Sequence, residues 1–94
     1  LQIDGFVKDV MNIEPLADKW TAFNWNVIRC DGHDMSSIEN AFAQAAAFKG
    51  KPSVIIADTV KGKGVSFMEN KCNWHGVAPN KEQLETAMCE LECA

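Results

Sequence analysis

The sequence contains no long apolar run, so we expect neither a membrane-spanning segment nor a secretory signal. Its apolar runs all fall short of the roughly 20 residues that a membrane-spanning helix requires. The opening stretch, Leu1 to Gly5, has neither the basic start nor the long apolar core of a signal peptide. We therefore expect a cytoplasmic protein whose cysteines are kept reduced. The first residue is not methionine, which is consistent with a piece of a longer chain.

An excess of positive charge is also missing. Nine Lys and Arg residues oppose thirteen Asp and Glu residues, so the net charge is −4. Such a chain repels nucleic-acid phosphates and anionic membranes, and we expect neither as a partner. The chain also lacks repeats, low-complexity stretches and Gly/Ser linkers. Its 94 residues, 47% of them hydrophobic, make one small globular domain at most, with a core that would be marginal alone.

The four cysteines allow two interpretations. Cys72 and His75 have C-x-x-H spacing, and Cys89 and Cys93 lie one helical turn apart, so these four side chains could close a tetrahedral zinc site. This spacing matches zinc sites only loosely, and the second pair falls on an amphipathic helix. We therefore favour free thiols, Cys30 included, and keep a small zinc-binding interaction module as an alternative of another class.

The central part of the chain predicts a strand, a helix and a second strand. The first strand covers Trp25 to Cys30, and the second is the continuous apolar run Val54 to Ala57. Such a run is typical of a strand buried on both faces of a parallel sheet. Between them, Asp34 is a suitable N-cap and Gly50 a suitable C′ residue. The apolar face of this helix is predicted to comprise Ile38, Phe42, Ala45 and Phe48.

A parallel βαβ unit of this kind cannot form a finished sheet with two strands. We therefore expect an α/β fold that is part of a doubly wound parallel sheet and is incomplete on its own. On either side we expect an irregular segment over residues 1–13, a short helix beginning at Pro15, and a last helix capped by Asn80 and Gln83. The apolar stripe of that last helix is predicted to be Leu84, Ala87, Met88 and Leu91.

A loop of about twenty residues, from Thr59 to Pro79, leaves the carboxyl end of the second strand. Ligands of open α/β sheets bind at that edge, and loops this long are typically functional or disordered. Between Val60 and His75 there are three lysines and one glutamate, a local charge of +2 that suits an anionic small molecule such as a phosphate. The Lys-Gly-Lys-Gly stretch by itself matches neither a P-loop nor a dinucleotide motif.

Two histidines are candidates for chemistry. His75 lies in the same loop as the lysines, between an aromatic residue and a glycine, where it could exchange a proton or donate to a phosphate oxygen. A lone histidine is more often structural, and only geometry can assign it a catalytic role. His33 lies in a tight turn before a helix, where a bond to local backbone is the favoured interpretation.

Taken together, these motifs resemble the thiamine-diphosphate domain of transketolases over essentially all 94 residues. The chain matches the later part of that domain, so residues 1–94 are expected to be one partial domain, and it is also similar to the smaller N-terminal polypeptide of split transketolases. The segments that carry the resemblance are Leu1-Gln2-Ile3-Asp4-Gly5, Phe23-Asn24-Trp25, Asp31-Gly32-His33-Asp34, Lys51-Pro52, the run TVKGKGVSFMEN over residues 59–70, and Trp74-His75-Gly76.

The resemblance implies thiamine diphosphate and Mg2+ (or Ca2+) as cofactors. It implies that His75 is catalytic, contacting the diphosphate and the hydroxyl end of the substrate and helping proton transfer. It further implies that the main-chain carbonyl of Leu1 is a magnesium ligand, that Ile3 packs near the thiazolium ring, and that Lys61 flanks the cofactor. The expected activity is transfer of a two-carbon ketol unit from a ketose phosphate to an aldose phosphate, as in the pentose phosphate pathway.

Several parts of the family site are missing or changed. The Gly-Asp-Gly segment with the remaining magnesium ligands would precede Leu1, the glutamate that activates the cofactor belongs to a second domain, and Asn24 replaces an expected glycine. The implied partners are the rest of the domain, a two-fold copy of it, and the pyrimidine-binding C-terminal subunit, giving a dimer or heterotetramer. A 1-deoxyxylulose-5-phosphate synthase or a dihydroxyacetone synthase remains the alternative within thiamine-diphosphate enzymes.

Overall fold

A computed structural model describes all residues from 1 to 94. The chain forms four α-helices, two β-strands and one short 3₁₀ turn. In chain order they are α1 (Val7–Val10), α2 (Leu16–Ala22), β1 (Asn26–Asp31), α3 (Met35–Ala47), β2 (Ser53–Asp58), the 3₁₀ turn (Cys72–Trp74) and α4 (Lys81–Glu92). No helix is both long and apolar enough to span a bilayer. The one unexpected helix is α1, a single turn within the segment predicted to be irregular.

The predicted βαβ unit is confirmed. Strands β1 and β2 pair in parallel, with Asn26 opposite Ser53 and Asp31 opposite Asp58, and α3 connects them and packs on both. A forked ion pair joins the strands on the exposed side, because the guanidinium of Arg29 donates to both carboxylate oxygens of Asp58 at 2.6 and 3.2 Å. This pairing raises the pKa of Arg29. The α/β fold class is therefore the one that the sequence predicts.

The core between β1 and α3 is small and centres on Ala41, which is only 1% exposed. Ile28 and Cys30 of β1 pack against it, with Ile38, Ala45 and Ile55 at the margin. The prediction that Phe42 belongs to this face is wrong, because its side chain is 63% exposed. An alanine at the centre of the contact lets α3 lie close to the sheet, and the buried face runs through residues 38, 41 and 45. Strand β2 is half-buried from Ser53 to Ile56 instead of buried on both faces, since α3 is the helix that packs on it.

The helix ends follow local chemistry in most cases. The Asp34 carboxylate accepts the Ser36 N–H at 2.9 Å, as predicted for an N-cap. Asn80 and Gln83 form the predicted capping box, with both hydrogen bonds at 2.9 Å. Gly50 is not the C′ residue of α3, because the helix ends at Ala47 and Phe48 is already extended. Gly50 instead supplies a positive φ of 99° in the turn before β2.

The chain divides into two compact units. One contains residues 13–59 and carries the βαβ unit. The other contains residues 1–12 together with residues 60–94, and it therefore holds the N-terminal segment, the long loop and α4. All four predicted site residues, Leu1, Ile3, Lys61 and His75, belong to this second unit, so the candidate site can be described within it.

Candidate functional site

The loop between β2 and α4 is ordered and closes on itself. The N–H of Asn70 donates to the carbonyl of Lys61 at 2.9 Å, which joins the two ends of a ten-residue segment. Asn70 adopts a φ of 55° and Gly62 a φ of 74°, both in the left-handed region. A Cβ at Gly62 would lie 2.6 Å from the carbonyl oxygen of Met68, so only glycine lets the two sides of the loop approach this closely. Lys61 is thereby fixed at the base of a compact loop.

The two lysines of the closed segment, residues 61–70, differ because only Lys63 lies near a carboxylate. Glu69 accepts the N–H of Gly64 at 3.0 Å, and the ammonium of Lys63 lies 3.8 Å from the same oxygen. The charge of Lys63 is therefore offset within the chain. The ammonium of Lys61, by contrast, makes no hydrogen bond or ion pair with the chain, although its side chain is half-buried. Lys61 is the cation of this segment that remains available to an anion.

Helix α4 holds the middle of the loop. The carboxylate of Glu90 accepts the Ser66 hydroxyl and the Ser66 N–H, each at 2.6 Å. These two bonds, first the hydroxyl and then the N–H, lower the pKa of Glu90. Val65 beside them is buried, and a Cβ at Gly64 would lie 2.9 Å from the Leu91 side chain. The loop therefore contacts α4 at Ser66 and at Gly64.

His75 follows directly after the 3₁₀ turn, and its imidazole is exposed. Its backbone N–H donates to the Cys72 carbonyl at 3.0 Å, whereas its ring has no hydrogen-bond partner in the chain. The preceding Trp74 is tied to the loop, because its indole N–H donates to the Phe67 carbonyl at 2.9 Å and the two rings lie 5.4 Å apart. Gly76 has a φ of 78° and open space around its Cβ position. The imidazole of His75 is therefore accessible to a ligand and could donate a hydrogen bond to a phosphate.

The N-terminal candidates lie on a small turn in the same unit. Gln2 and Gly5 exchange two backbone hydrogen bonds of 2.8 and 3.2 Å, which places Ile3 at the tip with 58% of its surface exposed. The Leu1 carbonyl accepts no hydrogen bond from the chain. It is thus a free hard oxygen of the type that magnesium binds, and Ile3 is a free apolar surface.

The structure brings the four predicted residues into one unit without joining them to one another by hydrogen bonds or ion pairs. It does not bring the zinc candidates together, because no group of three or more His, Cys, Asp or Glu side chains is placed to hold a metal ion. Cys72, Cys89 and Cys93 are free thiols, as is the buried Cys30. The backbone N–H of His33 donates to the Asp31 carboxylate at 2.9 Å, and the predicted bond of its imidazole to local backbone stays a prediction.

Sequence reasoning missed the two glutamates that organise the loop. Glu69 lies only five residues from Gly64, and a carboxylate near a glycine-rich turn could have indicated an acceptor for its N–H groups. Glu90 lies 24 residues from Ser66, and no spacing rule connects a loop to a helix over that distance. The Lys61 ammonium and the His75 imidazole can donate to a diphosphate, and the Leu1 carbonyl oxygen can bind a divalent cation.

Comparison with known proteins identifies the family. The family described as "Transketolase, thiamine diphosphate binding domain" matches residues 1–92. The chain is 45% identical over 92 residues to the 6-deoxy-6-sulfo-D-fructose transketolase subunit of a Clostridium species, covering 98% of this chain and 34% of that protein. It is 42% identical over 91 residues to an apulose-4-phosphate transketolase subunit of Phocaeicola vulgatus, covering 97% and 32%.

An apulose-4-phosphate transketolase subunit of Actinobacillus succinogenes is 40% identical over 92 residues, covering 98% of this chain and 33% of that protein. The chain thus spans about a third of the length of these curated relatives. The family match, in contrast, extends along nearly the whole chain, and it includes the loop with Lys61 and His75 as well as the turn with Leu1 and Ile3. The chain belongs to the thiamine-diphosphate-binding domain family of transketolases.

Proposed function

We propose that this chain is the later part of the cofactor-binding domain of a transketolase, which moves a two-carbon ketol unit from a ketose phosphate to an aldose phosphate. The observation that supports this most directly is the pairing of the loop charges. Glu69 offsets the charge of Lys63, whereas Lys61 and His75 have no partner in the chain. A loop that offsets the charge of one lysine internally and leaves the Lys61 ammonium and an imidazole free is suited to an anionic ligand.

The residues present fit thiamine diphosphate. Lys61 would offset the diphosphate charge, and His75 would donate to a phosphate oxygen. The Leu1 carbonyl would supply one oxygen ligand to Mg2+ (or Ca2+), and residues outside this chain would supply the others. When bound, thiamine diphosphate supplies the carbanion chemistry for breaking and forming the carbon–carbon bond.

The chain's own residues would act on the substrate through position and proton exchange. The exposed imidazole of His75 would exchange protons with the hydroxyl and carbonyl oxygens of the sugar. Ile3 would present an apolar surface that keeps water away from the reacting atoms. The ordered loop would keep Lys61 and His75 in fixed positions, which reduces the entropy lost on binding.

The relatives' names bear on partners and substrates. Three of them are called transketolase subunits, two for apulose 4-phosphate and one for 6-deoxy-6-sulfo-D-fructose. We therefore propose that the protein works in an assembly with a pyrimidine-binding C-terminal subunit, in the form of a two-fold dimer or heterotetramer. The proposed substrates are ketose and aldose sugars with a terminal phosphate or sulfonate. Because these three relatives are called transketolase subunits, we favour ketol transfer over a 1-deoxyxylulose-5-phosphate or dihydroxyacetone synthase activity.

The test uses the full-length protein with its partner subunits and compares Lys61→Ala, His75→Ala and the control Lys63→Ala. Isothermal titration measures thiamine-diphosphate binding in the presence of Mg2+. Losing one charge-assisted hydrogen bond should weaken this binding about 10- to 100-fold for Lys61→Ala and His75→Ala. Lys63→Ala should change it by less than about threefold, because Lys63 already has a carboxylate near it.

Turnover is then measured with a ketose phosphate donor and, separately, with pyruvate. Ketol transfer predicts activity with the ketose phosphate, reduced in His75→Ala, and none with pyruvate. Pyruvate turnover would instead support a deoxyxylulose-phosphate synthase. Unchanged cofactor binding and unchanged turnover in His75→Ala would remove His75 from the mechanism.

A further inference from the structure

Glu90 on α4 makes a closer contact with the loop than any other charged side chain of that helix. Its two carboxylate oxygens accept two different donors of one residue, the Ser66 hydroxyl and the Ser66 N–H, each at 2.6 Å. Both oxygens are therefore used, and an amide in place of the carboxylate would leave only one acceptor. The contact spans 24 residues of sequence, so it fixes the loop to a separate element.

A short series of contacts and chain neighbours links Ser66 to His75. The next residue after Ser66 is Phe67, whose carbonyl accepts the Trp74 indole N–H at 2.9 Å and whose ring packs on the Trp74 ring. Trp74 directly precedes His75. A shift of Ser66 would move the Phe67 carbonyl, and the indole that is bonded to it would move with the backbone of His75.

The same contact also bears on Lys61. Ser66 lies inside the segment that the hydrogen bond between Asn70 and Lys61 closes. Beside it, Val65 is buried, and Gly64 lies close to the Leu91 side chain. Holding Ser66 therefore holds the closed segment as a unit. Lys61 is the first residue of that segment and His75 follows its last residue by five positions, so both depend on its position.

From this geometry we propose that Glu90 is a positioning residue of the cofactor site, which sets the places of Lys61 and His75 by holding Ser66 through two hydrogen bonds. The inference rests on the proposed function, because it assigns Lys61 and His75 to the cofactor. Glu90 itself is not proposed to touch cofactor or substrate. It acts only through its two hydrogen bonds with Ser66. The lowered pKa of its carboxyl agrees with a carboxylate that is held ionised by these two donors.

The experiment uses the full-length protein with its partner subunits and four variants. Glu90→Gln removes one acceptor, Ser66→Ala removes the hydroxyl donor alone, and the double variant combines them. Glu92→Gln is the control, since it makes the same charge change two residues further along α4 without a contact to the loop. Two quantities are measured, the dissociation constant for thiamine diphosphate and the ¹⁵N chemical shifts of the His75 imidazole, assigned by comparison with His75→Gln.

Glu90→Gln and Ser66→Ala should each weaken cofactor binding about three- to tenfold, the factor that the loss of one hydrogen bond brings. The double variant should be little weaker than Glu90→Gln, because the two residues act on one contact. The His75 signals should move in all three variants and stay in place in Glu92→Gln. A lower unfolding temperature with unchanged binding and unchanged His75 signals would show a merely structural contact and overturn the proposal.

The outcomes also separate this proposal from the proposed function. If Lys61→Ala and His75→Ala weaken binding but Glu90→Gln and Ser66→Ala do not, the positioning role is wrong and the cofactor site stands. If the unmodified assembly does not bind thiamine diphosphate, the proposed function fails first. If Glu90→Gln fails to fold, Ser66→Ala alone decides, because its backbone N–H can still donate to Glu90.

Discussion

Replacing Gly62 by alanine tests whether the loop owes its shape to close contact between its own two sides. Gly62 has a φ of 74°, and an added Cβ would lie 2.6 Å from the Met68 carbonyl oxygen and 2.7 Å from its carbon. Both are backbone atoms, so no side-chain rotation can make room. The loop must open for an alanine to be accommodated, which would also disturb the bond between Asn70 and Lys61.

Gly76 provides the matched control for the loss of unfolding free energy that is expected of Gly62→Ala. Its φ of 78° is nearly that of Gly62, but its Cβ position has no atom within 4 Å. Gly76→Ala should therefore cost only the left-handed conformation of an alanine, about 1–2 kcal/mol of unfolding free energy. Gly62→Ala should cost that amount and a further 1–3 kcal/mol or so for overpacking. The difference between the two variants isolates the contact from the backbone conformation.

Urea unfolding of the assembled full-length protein, followed by tryptophan fluorescence, measures both free energies of unfolding. The indole of Trp74 is bonded within the same loop, so its emission should also report the opening in Gly62→Ala before global unfolding. Equal destabilisation by the two substitutions would refute the reasoning, because it would mean that the loop does not press Gly62 against Met68.

Three further results are expected. Asn24→Ala should lower the free energy of unfolding by about 1–2 kcal/mol and Asn24→Gly should not, because Asn24 has a φ of 65°; urea unfolding checks both. Ala41→Leu should cost about 1–3 kcal/mol by overpacking the core, whereas Phe42→Ser at the exposed neighbouring position should stay within about 0.5 kcal/mol, as measured by thermal unfolding. Glu90 has a lowered pKa in the folded state, so its stabilising contribution should be present above about pH 4.3 and be lost as the pH falls through the lowered value. The unfolding free energies of the unmodified protein and Glu90→Gln should therefore converge in acid, and a constant difference between pH 7 and pH 3 would contradict this.

Local patterns of sequence were sufficient for most of the secondary structure. The caps at Asp34 and Asn80 were predictable because a capping side chain bonds to an N–H two or three residues away. The parallel pairing of β1 and β2 was predictable because the apolar run of β2 follows an amphipathic helix. In these cases the interactions that determine the structure join residues only a few positions apart, or they follow from a hydrophobic pattern that is visible in a single sequence.

The errors arise where the deciding contact lies elsewhere in the chain. Helical periodicity placed Phe42 on the buried face, but the face is set by which side chain lets α3 approach the sheet, and that residue is Ala41. The contact between Ser66 and Glu90 joins residues 24 positions apart, and neither residue has a sequence signature of its own. The charged loop was predictable in composition. Which of its lysines lies near a carboxylate was not predictable, because that depends on where Glu69 folds back.

Asn24 stands where the resemblance to transketolases implies a glycine, and its backbone conformation explains how it fits there. The N–H of Asn24 donates to the Thr21 carbonyl at 2.9 Å, and the N–H of Trp25 donates to the Trp20 carbonyl at 3.1 Å. This is the pair of bonds that ends a helix when the residue after its cap is left-handed, and the rings of Trp20 and Trp25, 4.7 Å apart, form the apolar contact that accompanies it. Glycine is the usual residue there, and asparagine is the next best because its short polar side chain tolerates the left-handed region. The position therefore requires a left-handed backbone conformation that Asn24 can supply, so an asparagine in place of the glycine that the resemblance implies is compatible with this helix end.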